Sequence, residues 1–311
     1  MLDRLPQPKG RSAKVTFAVA GAMTRVQNQG VLTRSSGYLT IRDDPVPPSS
    51  EALQTDGYVV SREIFSSAEV DALCADVQRV FDEYAPDERS DRYDAEHWAP
   101  FRYEMFNRSA LVQETIGHPK ILEIIEPLLG EDCHVIANTA WWQQSGNDSH
   151  LGHFWHIDSG PHIPRDPKVP WDDRIPYPVF AIATHIYLWD CPLEAGPTGV
   201  IPGSHTSGQP PPLERMADND LQWEGRDVVP IIAQAGDVAF FVSDVWHRRQ
   251  PPLPGDPGRM FLQCHYGRRD LAQRLRPTAV VNHVSEAAVA RAQTSRQQRL
   301  IGLHPPGFYD G

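Results

Sequence analysis

The sequence predicts a mainly β domain buttressed by helices, a β-sandwich or jelly roll. Two observations carry that expectation. From about residue 132 onward, short apolar or alternating runs are separated by Gly, Pro and Asp: CHVIANTAWWQQ (133–144), VFAIATHIYLW (179–189), TGVIPGSH (198–205), DVVPII (227–232), GDVAFFVSDVW (236–246) and RMFLQCHYG (259–267). Ahead of them stands a segment with helical periodicity. Short strands punctuated by turn signals, after an opening helical part, pack as two layers of sheet rather than as a bundle. No internal repeat of fixed period is present.

Taken in order, residues 1–50 are polar and rich in Gly and Pro, ending in DDPVPPSS (43–50), and are expected to form a partly flexible extension. A single domain follows over 51–311, with helical support at 51–131, the β core at 132–270 and a C-terminal helical segment at 271–311. Asp56-Gly57 turns into a short strand at Tyr58-Val59-Val60. Ser66 stands three residues before Glu69, a capping box, and Val70, Leu73, Cys74, Val77, Phe81 and Tyr84 recur at helical spacing up to Pro86. A second helix starts at Pro119, carries Ile121, Ile124, Ile125 and Leu128, and stops at Gly130. The stretch 284–299 reads as one polar terminal helix.

Composition narrows the function. The chain has 311 residues, with 29 Lys+Arg against 40 Asp+Glu and a formal charge of −11. That balance argues against a phosphate-backbone partner, whose binding depends on neutralisation by Lys and Arg. No run approaches the length of a membrane-spanning helix. The apolar part of KVTFAVAGAMTR (14–25) is too short and interrupted for a secretory signal. Cys74, Cys133, Cys191 and Cys264 are widely spaced, which supports neither a zinc ribbon nor a disulfide framework and fits a reducing cytoplasm. The partner expected is therefore a small molecule; oligomeric state is left open.

Histidine is the unusual item: 13 in all, with His150, His153, His156 and His162 crowded together. His156 and Asp158 are two residues apart, so in extended backbone both leave the same face and can share one ion. His247, 89 residues after Asp158, ends the strand-like run 236–246 and offers a third ligand. Two imidazoles and a carboxylate on one face of an octahedral ion leave three positions open, the arrangement of non-haem Fe(II) oxygenases. Arg259 follows His247 by twelve residues, and its guanidinium suits bidentate pairing with the carboxylate of a keto acid that chelates the iron. A lone His-x-Asp is commonplace in surface turns; the combination is not.

These residues sit in a chain that resembles the phytanoyl-CoA dioxygenase (PhyH-like) family of Fe(II)- and 2-oxoglutarate-dependent oxygenases. The likeness runs over roughly 53–270: LQTDGYVVSREIFSSAEVDAL at the start, FWHID (154–158), the loop AGPTGVIPGSH (195–205), and AGDVAFFVSDVWHRRQPP (235–252) followed by Arg259 and QCHY (263–266). The resemblance implies a double-stranded β-helix, a cupin-like jelly roll with iron at one mouth. It implies His156, Asp158 and His247 as ligands of Fe(II), Arg259 as the partner of the 2-oxoglutarate carboxylate, and O2 as co-substrate. The activity it implies is oxidation of an unactivated C–H bond, most simply hydroxylation, with release of succinate and CO2.

Two further positions follow from the same resemblance. His185 falls where the family places a side chain beside the co-substrate, with a core or substrate-facing histidine as the alternative. Gln144 is expected to bond the 2-oxoglutarate carboxylate, with Gln143 or Asn138 as alternatives. Asp158 disfavours halogenation, since related halogenases replace this carboxylate with Ala or Gly to admit chloride. The chain departs from the family after the distal histidine, where Arg248 and Arg249 stand and are expected to be solvated or paired surface cations. The Pro-rich loop 159–178 leaves directly from the ligands and reads as a lid, which would bring His162, Arg165, Lys168, Trp171, Asp172 and Asp173 over the substrate, with a rigid surface excursion as the alternative. His150 and His153 are read as bystanders and His205 as a loop-fixing residue. Two other readings use the same site: a zinc-dependent hydrolase and a non-catalytic jelly-roll binding protein.

Overall fold

The computed structural model describes residues 31–35, 38–42, 47–86, 99–146, 152–166, 168–172, 174–271 and 284–305. Its chain order begins with strands β1 (Val31–Ser35) and β2 (Tyr38–Arg42), then helix α1 (Pro48–Thr55), β3 (Tyr58–Ser61) and α2 (Ser67–Glu83). There follow β4 (Phe101–Tyr103), α3 (Met105–Arg108), α4 (Ala110–Thr115), α5 (Pro119–Leu129) and β5 (His134–Gln144). The remainder is β6 (Ala181–Tyr187), β7 (Thr198–Val200), β8 (Val229–Pro230), β9 (Val238–Val242), β10 (His247–Arg249), β11 (Gly258–Gly267), α6 (Glu286–Arg291) and α7 (Ser295–Leu300).

A six-stranded antiparallel sheet, in the order β3-β9-β6-β11-β5-β4, faces a three-stranded antiparallel sheet, β10-β7-β8. This is the expected jelly roll. Alternation along the strands divides the large sheet into two faces. Val238, Phe240 and Val242 of β9, with Leu262, Cys264 and Tyr266 of β11, pack on Leu73, Val77 and Val80 of α2 and Ile121 and Ile125 of α5. Ala239 and Phe241, with Ala183, Tyr187 and Phe261, turn inward to meet Val200 of the small sheet and Ile231, just after β8. Strands buried on both faces read as continuous apolar runs, which is why VAFFV shows no clean period of two.

Both expected support helices form with the expected signals. The Ser66 side chain and the Glu69 side chain cap each other's backbone at the start of α2, and α5 runs from Pro119 to Gly130, whose φ of 93° only glycine adopts without strain. Three expectations shift. The first support helix, α1, starts at Pro48, and within the expected extension residues 31–35 and 38–42 pair as the antiparallel strands β1 and β2. The single terminal helix is two, because Thr294 and Gln297 form a second capping box that starts α7. The run 236–246 is not one strand: β9 stops at Val242, the chain turns, and His247 opens β10 in the other sheet.

Candidate metal centre

The turn between β9 and β10 places the site. His156 and His247 exchange both backbone hydrogen bonds, each 3.0 Å long, as an isolated antiparallel bridge. Directly opposed residues of such a pair project on the same side, and the two rings lie 4.3 Å apart. The Asp158 N–H donates to Ser243 O at 3.1 Å, so the ligand segment is laced to the turn along its length. His156 Nδ1 lies 2.7 Å from Phe154 O and His247 Nδ1 lies 2.9 Å from Val245 O. Donation from Nδ1 to a carbonyl turns each Nε2 toward the centre. There His156 Nε2 is 3.9 Å from Asp158 Oδ1 and His247 Nε2 is 3.5 Å from Asp158 Oδ2. Ligand atoms of all three residues fall within 4.8 Å of one another, which fits a single ion.

Electrostatics agree with that geometry. Burial, then the neighbouring His247, lowers His156 to about 4, leaving it neutral. For Asp158, burial favours the neutral acid, but His247 and His265 outweigh it and hold the carboxyl well below its ordinary range. Burial likewise opposes a charge on His247, and Asp158 overcomes it, raising the pKa of His247. A cation bound here replaces that proton as the counter-charge of Asp158.

The cavity at this mouth has a volume of about 210 Å³. Cross-strand registers set its floor in rows. Gln143 opposes Arg259; Phe101, Trp141, Phe261 and Tyr187 form the next row; Tyr103, Thr139, Gln263 and His185 the next; Ala137 and His265 the last. Arg259 is buried, donating Nε–H to Gln143 Oε1 at 2.6 Å and Nη1–H to Gly196 O at 3.1 Å. Both acceptors are neutral, and burial lowers its pKa. His185 is buried beside it, 4.4 Å from the Phe261 ring, with Nδ1 3.5 Å from Thr198 Oγ1; burial, then Arg259, pushes its pKa well below the usual value.

Gln144 does not join them. It is exposed at the end of β5, while Gln143, one residue back, is fully buried against Arg259. Strand alternation decides between the two, and the Arg259–Gln143 register sets the choice. Asn138 faces the other way, accepting from Phe106 N and donating to Gln263 O.

Arg248 and Arg249 are corrected as well. Both are buried at the cavity wall; Arg248 bonds Ala217 O and Asn219 Oδ1 and lies over the Trp155 ring. None of the described residues of the loop 159–178 lines the cavity. The loop's beginning and end are tied to Asp244, which takes His162 Nδ1 at 2.5 Å, His162 N at 3.1 Å and Tyr177 OH at 3.3 Å. Arg165 donates to Thr206 O, and Gln209 to Arg165 O, which seats the loop on residues 204–209. His205 fixes this region as expected, with Nε2 3.1 Å from Gln54 O. His153 lies off the cavity; His150 and Asp173 lie outside the described residues.

One residue of the site went unassigned in the sequence. His265 Nε2 stands 3.1 Å from Asp158 Oδ2 and 3.0 Å from Gln263 Nε2, and Gln263 Oε1 accepts from Trp141 Nε1 at 2.8 Å. The signal was present: counting by twos from Arg259 reaches Phe261, Gln263 and His265 on one face.

A jelly roll with two imidazoles and a carboxylate at its mouth, open to a cavity with a buried arginine, has the architecture of non-haem iron oxygenases. The family comparison is specific: the phytanoyl-CoA dioxygenase (PhyH) family model matches residues 53–251, and the chain belongs to that family. Among solved structures it is similar to SnoN, a non-haem α-ketoglutarate-dependent epimerase from nogalamycin biosynthesis, at 17% identity and a TM-score of 0.51, covering 71% of this chain and 81% of that one. It is also similar to SnoK, the α-ketoglutarate-dependent carbocyclase of the same biosynthesis, at 19% identity and a TM-score of 0.53, covering 78% and 89%. At these identities the likeness concerns the fold. No curated protein sequence matches the chain.

Proposed function

We propose that the chain is an Fe(II)- and 2-oxoglutarate-dependent dioxygenase that hydroxylates an unactivated C–H bond of a small-molecule metabolite or natural-product intermediate. The observation that carries this reading is the facial set His156, Asp158 and His247 opening into the same cavity as the buried Arg259. Iron, 2-oxoglutarate and O2 supply the oxidising chemistry, with succinate and CO2 as products.

The chain's own share is binding and orientation. His156 and His247 hold the metal through Nε2, each aimed by the carbonyl on its Nδ1, and Asp158 supplies the anionic ligand. Arg259, steadied by Gln143 and Gly196, pairs with the distal carboxylate of 2-oxoglutarate, and neutral His185 lies alongside. Phe261 lines the cavity beside them, and Tyr187 packs against it with ring centres 5.9 Å apart. Asp158 occupies the position a halide would need, which favours oxygen transfer over halogenation. A zinc hydrolase would give Arg259 no task.

The test is anaerobic reconstitution with Fe(II) and 2-oxoglutarate. The expected result is the visible charge-transfer absorption of the Fe(II)–2-oxoglutarate pair, then O2-dependent succinate formation. His156→Ala, Asp158→Ala and His247→Ala abolish metal binding and turnover, and Arg259→Ala weakens 2-oxoglutarate binding. Absence of both the absorption and succinate above background overturns the proposal.

A further inference from the structure

We infer that the chain has a second small-molecule site, between α4 and the helix pair α6 and α7, which takes a zwitterion: an α-amino acid with an aliphatic side chain. The site shares no lining residue with the metal cavity, so the inference stands independently of the oxygenase reading.

A cavity of about 400 Å³ opens there. Ala110, Gln113 and Glu114, at helical spacing on α4, form one wall; Arg291, at the end of α6, and Gln297 of α7 stand on the other. Gln113 joins the walls, donating to Ala288 O at 2.8 Å and accepting from Arg291 Nε at 2.6 Å. Ile116, Leu300 and Ile301 make an apolar floor. A polar group turned toward that floor gives up hydrogen bonds to water without finding side-chain partners, so the part of a ligand that points inward is hydrocarbon.

The lining carries a cation and an anion that do not pair with each other. Arg291 gives Nε–H to Gln113 Oε1 and an N–H of Nη2 to Phe106 O, both at 2.6 Å, and both acceptors are neutral. Those bonds use one edge of the guanidinium. Nη1 and the second N–H of Nη2 keep the fork geometry that a carboxylate takes bidentately. Glu114 is exposed, and among the described residues its carboxylate has no hydrogen bond or ion pair. The remaining charge of the lining, Arg296, is compensated by Glu126 at 2.7 Å. A ligand with a carboxylate for Arg291 and an ammonium for Glu114 answers both charges at once, and an α-amino acid carries the two groups on one carbon, with its side chain left for the floor.

The test titrates three probes of similar shape into the full chain with Mn(II) and saturating 2-oxoglutarate, followed by isothermal titration calorimetry. They are L-leucine, 4-methylpentanoate, which lacks the ammonium, and 3-methylbutylammonium, which lacks the carboxylate. Metal and 2-oxoglutarate block the other cavity, and the variants locate the binding. L-leucine is expected to bind at least about tenfold tighter than the ammonium, because the Arg291 guanidinium is held in place and partly buried. It is expected to bind about threefold tighter than the acid, a smaller gain because Glu114 is exposed. Arg291→Met removes the first preference and Glu114→Gln the second. Should Arg291→Met fail to fold, Glu114→Gln, at an exposed position, still reports on the site. The inference is overturned if L-leucine does not bind, if either half-molecule binds as tightly as L-leucine, or if folded Glu114→Gln keeps the full preference over the acid.

Discussion

Arg259 is buried with its guanidinium on two neutral oxygens, those of Gln143 and Gly196, so its orientation depends on groups that do not neutralise it. Removing the amide takes away a hydrogen bond to a charged group, an interaction of about 1.5–3 kcal/mol. Gln143→Ala is therefore expected to raise the 2-oxoglutarate concentration for half-saturation by about tenfold or more, while Gln144→Ala leaves it unchanged; succinate release across a 2-oxoglutarate titration measures both. His265 offers a second case. It stands 3.1 Å from the Asp158 carboxylate, and groups that steady a ligating carboxylate typically contribute about 10–100-fold in metal affinity. His265→Ala should weaken Mn(II) binding by about tenfold, read by equilibrium dialysis without any turnover. An unchanged affinity would show that Asp158 needs no such support. Gln143 stood in the sequence only as an alternative to Gln144 and His265 carried no role there, because a spacing of two says which residues share a face and not what they face.

Among the elements, the loop 159–178 is governed by one side chain. Asp244, in the turn that presents His247, gathers His162 from the start of the loop and Tyr177 from its end. Asp244→Asn loses the charge from these bonds and is expected to destabilise the fold by about 1–3 kcal/mol in urea denaturation. Trypsin cleavage after Arg165, Lys168 or Arg174 should accelerate, since both ends of the loop are released together. Retention of wild-type protease resistance would mean the contacts with residues 204–209 hold the loop alone. The Pro-rich composition gave a long excursion but not the side of the ligands to which it folds; Asp244 and the 204–209 segment set that. Helices were easier: Ser66 with Glu69, and Pro119 with Gly130, are local signals acting within one turn. Thr294 with Gln297 is such a signal as well, and a polar run with no apolar stripe hid the break it makes.

At the scale of the whole molecule, stability is coupled to pH through histidines kept neutral by burial. His205, 1% exposed in the loop under α1, is lowered to about 4 chiefly by that burial. Its ordinary value is 6.5, so as pH falls the unfolded chain takes the proton first. The stability is whole above about 6.5 and declines as pH falls toward 4. At pH 5 the loss from this residue amounts to about 2 kcal/mol. His205→Gln can keep a donor to Gln54 O and has nothing to titrate. Between pH 7 and 5 the wild-type chain should therefore lose about 2 kcal/mol more than the variant in urea unfolding; equal losses would show that His205 can charge in place.

The sequence by itself pointed to the β-rich class, the two support helices, the candidate ligands His156, Asp158 and His247 that the structure groups together, and Arg259 in the same cavity. Each rests on short-range chemistry: caps, turns, strand alternation, or residue types that bind metal and carboxylate. Tertiary structure alone decided the rest. It ended β9 at Val242 and opened β10 at His247 in the other sheet, chose Gln143 over Gln144 by cross-strand register, buried Arg248 and Arg249 in the wall, and seated the 159–178 loop on Asp244 and residues 204–209. It also brought His265 to Asp158 across 107 residues of chain. Local pattern says which face a side chain takes; only strand register and packing between distant segments say what stands opposite it.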